Sequence, residues 1–475
     1  MPLYKPTWNS LRQHHTPEWF RDAKFGIYTH WGLYSVPACG WNGTWYPYNM
    51  YREGNGQYDY HVKNYGGPEK FGYKDFIPMF TAEKFDPDEW AEMFRKAGAK
   101  FAGPVGEHHD GFCLWDTKYS EWNSVRMGPK RDVVGELERA IRKQDMKYLV
   151  ALHHAENWWF FPHWRKEFDT SDPRYAGLYG EFHNPDGPKK YDHFQFFDQD
   201  TPSRAFLDLW LNKTLEVIDK YQPDILWFDG AIQGIEEQYR LDFLTYYYNK
   251  AEDWGRQTVA CHKWEGFPPN VAMLDLELGR EDALSFHEWL TDTTVDDGAG
   301  WSYIADTGYK SPTSVVHYLI DNVSKNGYLL LNVGPKPDGT IPEQAQEILA
   351  EMGRWLDVNG EAIYGTTAWL YYGEGPTKLA KMEDGKKPEY TPEDIRFTTK
   401  DDALYATCLA WPKDGMTITQ AKDWRPYAPG ELSVTMLGSD QPITWRQTEE
   451  GLVVHPPSKR PCDHAYVFKI VRPSR

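Results

Sequence analysis

The side chains of this 475-residue chain that could do chemistry fall in a few short stretches. They are His30, Glu107-His108-His109, His153-His154, Asp229 and a group of carboxylates at Glu265, Asp275, Glu277 and Glu288. The paired histidines raise a zinc or iron site first. Adjacent strand residues point to opposite faces, so one pair rarely ligates one ion, and the expectation is one imidazole packed and one lining a cleft. No His-x-His stands at these positions and no HExxH occurs, so neither a metal nor another cofactor is expected. A nucleophilic serine lacks its GxSxG elbow, and the glycine-rich phosphate loops GxGxxG and GxxxxGKS/T are missing. Carboxylates remain.

Asp229 closes the run Ile225-Leu226-Trp227-Phe228-Asp229-Gly230. An acid just past a hydrophobic strand, walled by Trp227 and followed by a permissive glycine, suits a nucleophile projecting into a cleft. The bland alternative is a cap on the next helix. A partner acid is needed, and Glu277 in Leu274-Asp275-Leu276-Glu277-Leu278-Gly279-Arg280 is the best candidate. Glu265, Asp275 and Glu288 are its rivals, and the commoner fate of each is a solvated loop.

The elements that must position these groups read as strand–helix alternation. Asp86 before Pro87 and Glu89 gives an N-cap, a proline at the first helical position and a carboxylate at the third. Helical spacing of apolar residues marks 133–147, 203–221 and a segment from Pro342 to Asn359-Gly360. Between them lie apolar runs at 25–28, 101–105, 148–152, 225–228, 259–261 and 328–333, as a parallel sheet covered on both faces requires. Alternation of this extent predicts a (β/α)8-type, TIM-like barrel over residues 1–365. The runs end in His30, Glu107-His108-His109, His153-His154 and Asp229, where barrel enzymes keep their chemistry. Short β-rich runs at 404–411, 416–419, 432–437 and 452–455 predict a C-terminal antiparallel β-sandwich over 366–475, with 373–392 as an exposed loop.

Composition narrows the function. The formal charge of −18 argues against a nucleic-acid partner. No apolar run approaches the roughly 20 residues that span a bilayer, so no membrane partner is expected. The start is polar and aromatic rather than a signal peptide, which predicts a cytoplasmic chain as written, or a periplasmic or secreted one if a signal has been removed. Five scattered cysteines suit a reducing compartment. The 22 tryptophans supply flat faces of the kind sugar sites use. Two carboxylates across a Trp-lined barrel mouth are the machinery of glycoside hydrolysis, and in its retaining form they stand about 5–5.5 Å apart.

At these residues the chain resembles the retaining α-L-fucosidases of glycoside hydrolase family 29. The resemblance rests on the stretch from Ala23 to Ala38 (AKFGIYTHWGLYSVPA), Trp45-Tyr46, His108-His109-Asp110-Gly111-Phe112, Leu114-Trp115-Asp116, Trp227-Phe228-Asp229-Gly230, Asn332-Val333-Gly334-Pro335 and Asn359-Gly360-Glu361-Ala362-Ile363-Tyr364. It implies metal-free hydrolysis of terminal α-L-fucose from fucosylated oligosaccharides or glycoconjugates. Asp229 resembles the family nucleophile and Glu277 the acid/base. His30, Trp45, His108, His109 and Trp227 resemble the residues that bind the sugar. Two departures stand out: Thr44 where the family commonly has a sugar-binding Glu, and Glu107 where it often has Lys. Either a nearby residue substitutes for the carboxylate lost at 44, or the glycone is a related 6-deoxy or galacto-configured sugar. A catalytically silent fucose-binding barrel is a further alternative. An apolar wall facing C6 favours a deoxy sugar by about 0.8 kcal/mol per buried carbon, and Phe25, Tyr28, Trp31, Trp158 and Trp159 are the residues considered for it.

Overall fold

In a computed structural model of the chain, the described residues are 3–183, 186, 201–298, 300–377, 389–422 and 432–472. Eight parallel strands close in chain order into a barrel: β1 Phe25–Thr29, β2 Phe101–Glu107, β3 Lys147–Leu152, β4 Ile225–Phe228, β5 Val259–Lys263, β6 Met273–Asp275, β7 Trp289–Thr294 and β8 Gly327–Val333. The long helices packed around it are α1 Pro87–Lys96, α2 Val133–Lys143, α3 Arg204–Tyr221, α4 Glu237–Asp253, α5 Pro312–Ser324 and α6 Glu343–Asn359. Helix α1 starts as its sequence dictates: the Asp86 side chain accepts from the backbone N–H groups of Asp88 and Glu89, and Pro87 fills the first position. Helix α2 ends earlier than its apolar spacing suggests, because Asp145 takes a φ of 58° and Lys147 already belongs to β3. Strands β6 and β7 and helices α4 and α5 have no counterpart in the pattern read from sequence. Strand β6 is three residues long and β7 (WLTDTT) is rich in threonine, so neither makes an apolar run.

The barrel interior is a separate core. Tyr28, Val105, Leu149, Ala151, Ile225, Trp227, Val259, Cys261, Met273, Leu290, Tyr328 and Leu330 fill it, while alternate residues such as Leu226, Phe228, Leu329 and Leu331 join the layer under the helices. This is the two-residue period of a strand expressed around a closed sheet. Residues 264–272 and 276–288 link β5, β6 and β7 without a long helix. No helix among the described residues is long and apolar enough to cross a membrane.

Beyond α6, β9 Thr367–Glu374, β10 Ile395–Lys400, β11 Ala403–Cys408, β13 Ser433–Met436 and β16 Tyr466–Val471 form one antiparallel sheet in the order β13-β16-β11-β10-β9. A second has the order β12-β15-β14, from β12 Met416–Ile418, β14 Thr444–Gln447 and β15 Leu452–His455. Phe397, Leu404, Phe468 and Ile470 of the first sheet share a core with Ile418, Leu452 and Val454 of the second. Of the loop expected at 373–392, residues 373–374 belong to β9 and 378–388 lie outside the described residues.

The sheets are tied to the barrel through buried charge. Asp321 on α5 receives Arg396 Nε from β10 at 2.6 Å and Lys325 Nζ at 2.8 Å, and all three groups are buried. Removing one member of such a cluster strands the others. Asp321→Ala is expected to cost about 3–5 kcal/mol and lower the thermal midpoint by several degrees. Lys143→Ala, which breaks the exposed contact to Asp88, is expected to cost less than about 1 kcal/mol.

Candidate active site

Strand parity carries the interior set on to the barrel mouth, at or just past the C-terminal part of each strand. Tyr28 leads to His30, Ala151 to His153, Trp227 to Asp229, Cys261 to Lys263, Asp275 to Glu277, Leu290 to Asp292 and Leu330 to Asn332. Strand β2 breaks the rule. Its register shifts between Val105 and Glu107, so Val105 faces inward while Glu107 turns outward to the Lys213 ammonium of α3, at 2.6 Å. The shift corrects the expectation for His108 and His109. Both follow the strand in a turn, and both imidazoles reach the barrel mouth instead of dividing between core and cleft. The expected division does hold for the next pair. His153 faces the mouth, and His154 is buried with its Nε2 3.2 Å from the carbonyl of Trp210.

Asp229 sits at the centre. Lys263 Nζ lies 2.7 Å from its Oδ1, His109 Nε2 lies 3.2 Å from its Oδ2, and His153 Nε2 lies 3.7 Å from the same oxygen. Burial alone would favour the neutral acid, but the Lys263 ammonium first, and then His109, hold its carboxyl well below the usual carboxylate range. Lys263 also contacts Glu277 Oε2 at 3.1 Å and Asp292 Oδ2 at 3.7 Å. Glu277 is shifted the other way: burial, with Asp292 and Asp229 as like charges, outweighs Lys263 and raises its pKa. Laid end to end, the two Lys263 contacts of 2.7 and 3.1 Å keep the facing oxygens of Asp229 and Glu277 closer than the roughly 6.5 Å at which inverting carboxylate pairs begin.

The rival acids stand elsewhere. Asp275 is buried, and its oxygens accept from Trp227 Nε1 at 2.7 Å and from the Asp292 N–H at 3.0 Å. Burial raises its pKa to about 6. Glu288 precedes β7, at the opposite end of the strand from Asp292, and binds Arg21 Nε at 2.9 Å and the Tyr328 hydroxyl at 2.7 Å. Glu265 and Glu288 line a groove of about 1210 Å³ together with Leu274 and Leu276, which alternate with the inward Met273 and Asp275.

A second layer fixes the rings. His30 Nδ1 donates to Asn332 Oδ1 at 2.8 Å, and Asn332 Nδ2 donates to Thr294 Oγ1 at 3.0 Å and the Trp301 carbonyl at 2.6 Å. Burial lowers the His30 pKa to about 3, leaving a neutral ring. His108 stacks on His153 with centroids 4.7 Å apart, and burial keeps both neutral. Trp45 packs against His109 at 5.6 Å, and the Lys263 ammonium lies 4.9 Å over the Trp227 ring. The Thr44 hydroxyl is turned to Asn42 Oδ1 at 2.8 Å and is buried. Of the residues considered for a C6 wall, Tyr28 borders the mouth, with its ring 5.0 Å from His30. Phe25 and Trp31 belong to the outer core, and Trp158 stacks on His183 at 3.9 Å. Gly230 admits the half-exposed Trp264, since a Cβ there would stand 2.5 Å from the indole.

Two trios could each offer a metal three ligand atoms, His30 with His108 and His153, and His109 with Glu156 and Asp229. In the second, Nε2 of His109 faces two acceptors and therefore carries a proton, which opposes metal binding. Lys263, Asp292 and Glu156 escaped the sequence reading. Extending the alternation of Val259 and Cys261 by one step was the signal that marks Lys263.

A closed parallel barrel with an ionised and a raised-pKa carboxyl sharing one ammonium at its C-terminal mouth defines a glycoside-hydrolase type of enzyme. Residues 2–361 match the family model described as alpha-L-fucosidase, and residues 388–471 match that of the alpha-L-fucosidase C-terminal domain. The tissue alpha-L-fucosidase of Rattus norvegicus is 32% identical over 489 residues, covering 99% of this chain and 93% of that protein. The plasma alpha-L-fucosidase of Homo sapiens is 33% identical, covering 98% and 92%. The crystal structure of Thermotoga maritima alpha-fucosidase in complex with a mechanism-based inhibitor aligns with a TM-score of 0.76 at 32% identity, over 99% of this chain and all of that one. The chain belongs to the α-L-fucosidase family.

Lys263→Met removes the group that most strongly favours ionised Asp229. The Asp229 carboxyl is expected to titrate at a higher pH than in the unaltered protein, read by carboxyl NMR against Asp229→Asn, and an unchanged titration contradicts this role of Lys263.

Proposed function

We infer that this protein is a retaining exo-acting α-L-fucosidase that removes terminal fucose from oligosaccharides or glycoconjugates by double displacement. The observation that carries the reading is the opposite displacement of two acids that share Lys263: Asp229 is held ionised and Glu277 is pushed toward its protonated form. Asp229 attacks the anomeric carbon, forming an ester as the bond to the leaving oxygen breaks. Glu277 gives that oxygen its proton. Water then enters, loses a proton to Glu277 and displaces Asp229 from the sugar. The pair fits the short oxygen spacing of this mechanism rather than the wider one of single displacement.

His30, His108, His109, Trp45 and Trp227 surround the sugar. The neutral ring of His30, whose Nδ1 proton is given to Asn332, can accept a hydroxyl proton at Nε2, the neutral ring of His108 can donate or accept, and the indoles pack on the C–H faces of the sugar. The full-length likeness to fucosidases and the Thermotoga maritima alpha-fucosidase structure in complex with fucose support fucose as the glycone.

Asp229→Ala is expected to abolish turnover of an aryl fucoside, and wild-type activity in that variant refutes the role. Glu277→Ala is expected to lower hydrolysis of natural linkages by about 10²–10⁴-fold while sparing aryl fucosides with good leaving groups to within about tenfold. Equal losses on both substrate classes refute the acid/base role of Glu277. A second reading keeps the scaffold and changes the glycone, because Thr44 is spent on Asn42 and offers no carboxylate. A panel of aryl glycosides separates the two, and faster turnover of another 6-deoxy or a galacto-configured sugar favours the second.

A further inference from the structure

The double displacement leaves one buried carboxylate at the reacting centre without a task. Glu156 lies in the turn after β3 with its side chain 6% exposed, and its Oε2 stands 3.4 Å from His109 Nε2. Ligand atoms of Glu156, His109 and Asp229 all lie within 4.8 Å of one another. The other ring nitrogen of His109, Nδ1, is 2.9 Å from the carbonyl of His153, which can only accept, so Nδ1 carries a proton. Nε2 faces two carboxylates, which also accept, so it carries one too. The ring is an imidazolium.

The remaining surroundings agree. His108 and His153 face the ring with centroids at 4.2 and 5.6 Å, and burial keeps both neutral. Trp45 and Phe160 add apolar walls at 5.6 and 5.2 Å. Asp110, next in sequence, is held up to about 7 by burial and bonded to the Tyr73 hydroxyl. Neutral His30 and the Lys263 ammonium lie across the mouth, and Lys263 opposes the charge only from beyond Asp229. Burial by itself would strip His109 of its proton, but Glu156 and then Asp229 raise its pKa to about 9.

We propose that Glu156 is a positioning residue that keeps His109 doubly protonated while Asp229 is tied up as an ester. This rests on the double displacement above. In the first half, the new bond from Asp229 to C1 forms as the bond from C1 to the leaving oxygen breaks. The departing electron pair takes the proton of Glu277, and Asp229 loses its negative charge. His109 thereby loses one of its two anions, and Glu156 is the one that stays. In the second half, water adds to C1, its proton goes to Glu277, and the ester's bonding pair returns to Asp229. An imidazolium beside Oδ2 stabilises that returning charge, and a neutral ring does so less.

The test compares the wild-type enzyme, Glu156→Gln and Glu156→Asp on an activated aryl fucoside, with steady-state and stopped-flow measurements across pH. In Glu156→Gln, kcat is expected to fall on the order of 100-fold with a burst of released aryl alcohol. The value of kcat/KM reports the first half, when Asp229 still holds the charge on His109, and is expected to fall less than about threefold. The basic limb of the kcat profile moves to lower pH, because the raised pKa of His109 drops, and Glu156→Asp restores much of both. A parallel fall of kcat and kcat/KM with an unshifted profile, as a packing defect gives, overturns the proposal, and so does no change at all. A wild-type protein that releases no fucose instead defeats the underlying reading and the proposal with it.

Discussion

One ammonium organises the mouth of this barrel. Lys263 is the cation nearest to Asp229, Glu277 and Asp292, with Asp275 behind them, and four carboxyl groups around one such charge cannot all ionise. The proton distribution follows from who else is near. Asp229 alone among the four also faces His109, and it keeps its charge. Asp292 is enclosed with Asp275 and the Tyr28 hydroxyl, and burial pushes it well above the carboxylate range. Glu277, on the open side, is shifted toward its protonated form by burial and by the neighbouring acids. Opposite shifts of two carboxyl groups thus arise from surroundings alone, as the nucleophile and acid roles proposed for them require.

The closed sheet makes this arrangement rigid. Lys263, Asp229 and Asp292 each sit at the end of a different parallel strand, so their spacing is set by the backbone ladder rather than by loop conformations. The bulge in β2 is the one local departure, and it has a purpose visible in the contacts. It sends Glu107 to Lys213 on the helix side, a fully buried pair, and frees the following two histidines for the mouth. The family position often occupied by Lys therefore holds an acid here whose cation comes from α3.

Much of this was legible in the sequence for a physical reason. Six of the eight barrel strands are apolar on nearly every residue because both faces are covered, and their polar C-terminal ends fall at the mouth as parallel barrels require. The missed pair, β6 and β7, carries Asp275, Asp292 and three threonines, so the chemistry itself erased the apolar signature. The same parity that placed Asp229 also points to Lys263, but a cation opposite an acid is invisible until the strands are set side by side. His108 and His109 show the converse: a rule of alternation applied to residues beyond a bulge and a strand end gives the wrong facing. The C-terminal sheets announced themselves as β-rich, but their tie to the barrel through Asp321 and Arg396 joins residues far apart in the chain and left no local pattern.

The central claim is that the acid ending β4 becomes covalently bound to the sugar. Incubation with a mechanism-based fluoro-fucoside, followed by proteolysis and mass spectrometry, tests it directly, with the anomer of the first-formed product read by NMR on an unmodified substrate. The account predicts a single fucosyl adduct on the peptide that contains Asp229 and a product of retained configuration. An adduct on a different peptide, or a product of inverted configuration, contradicts it.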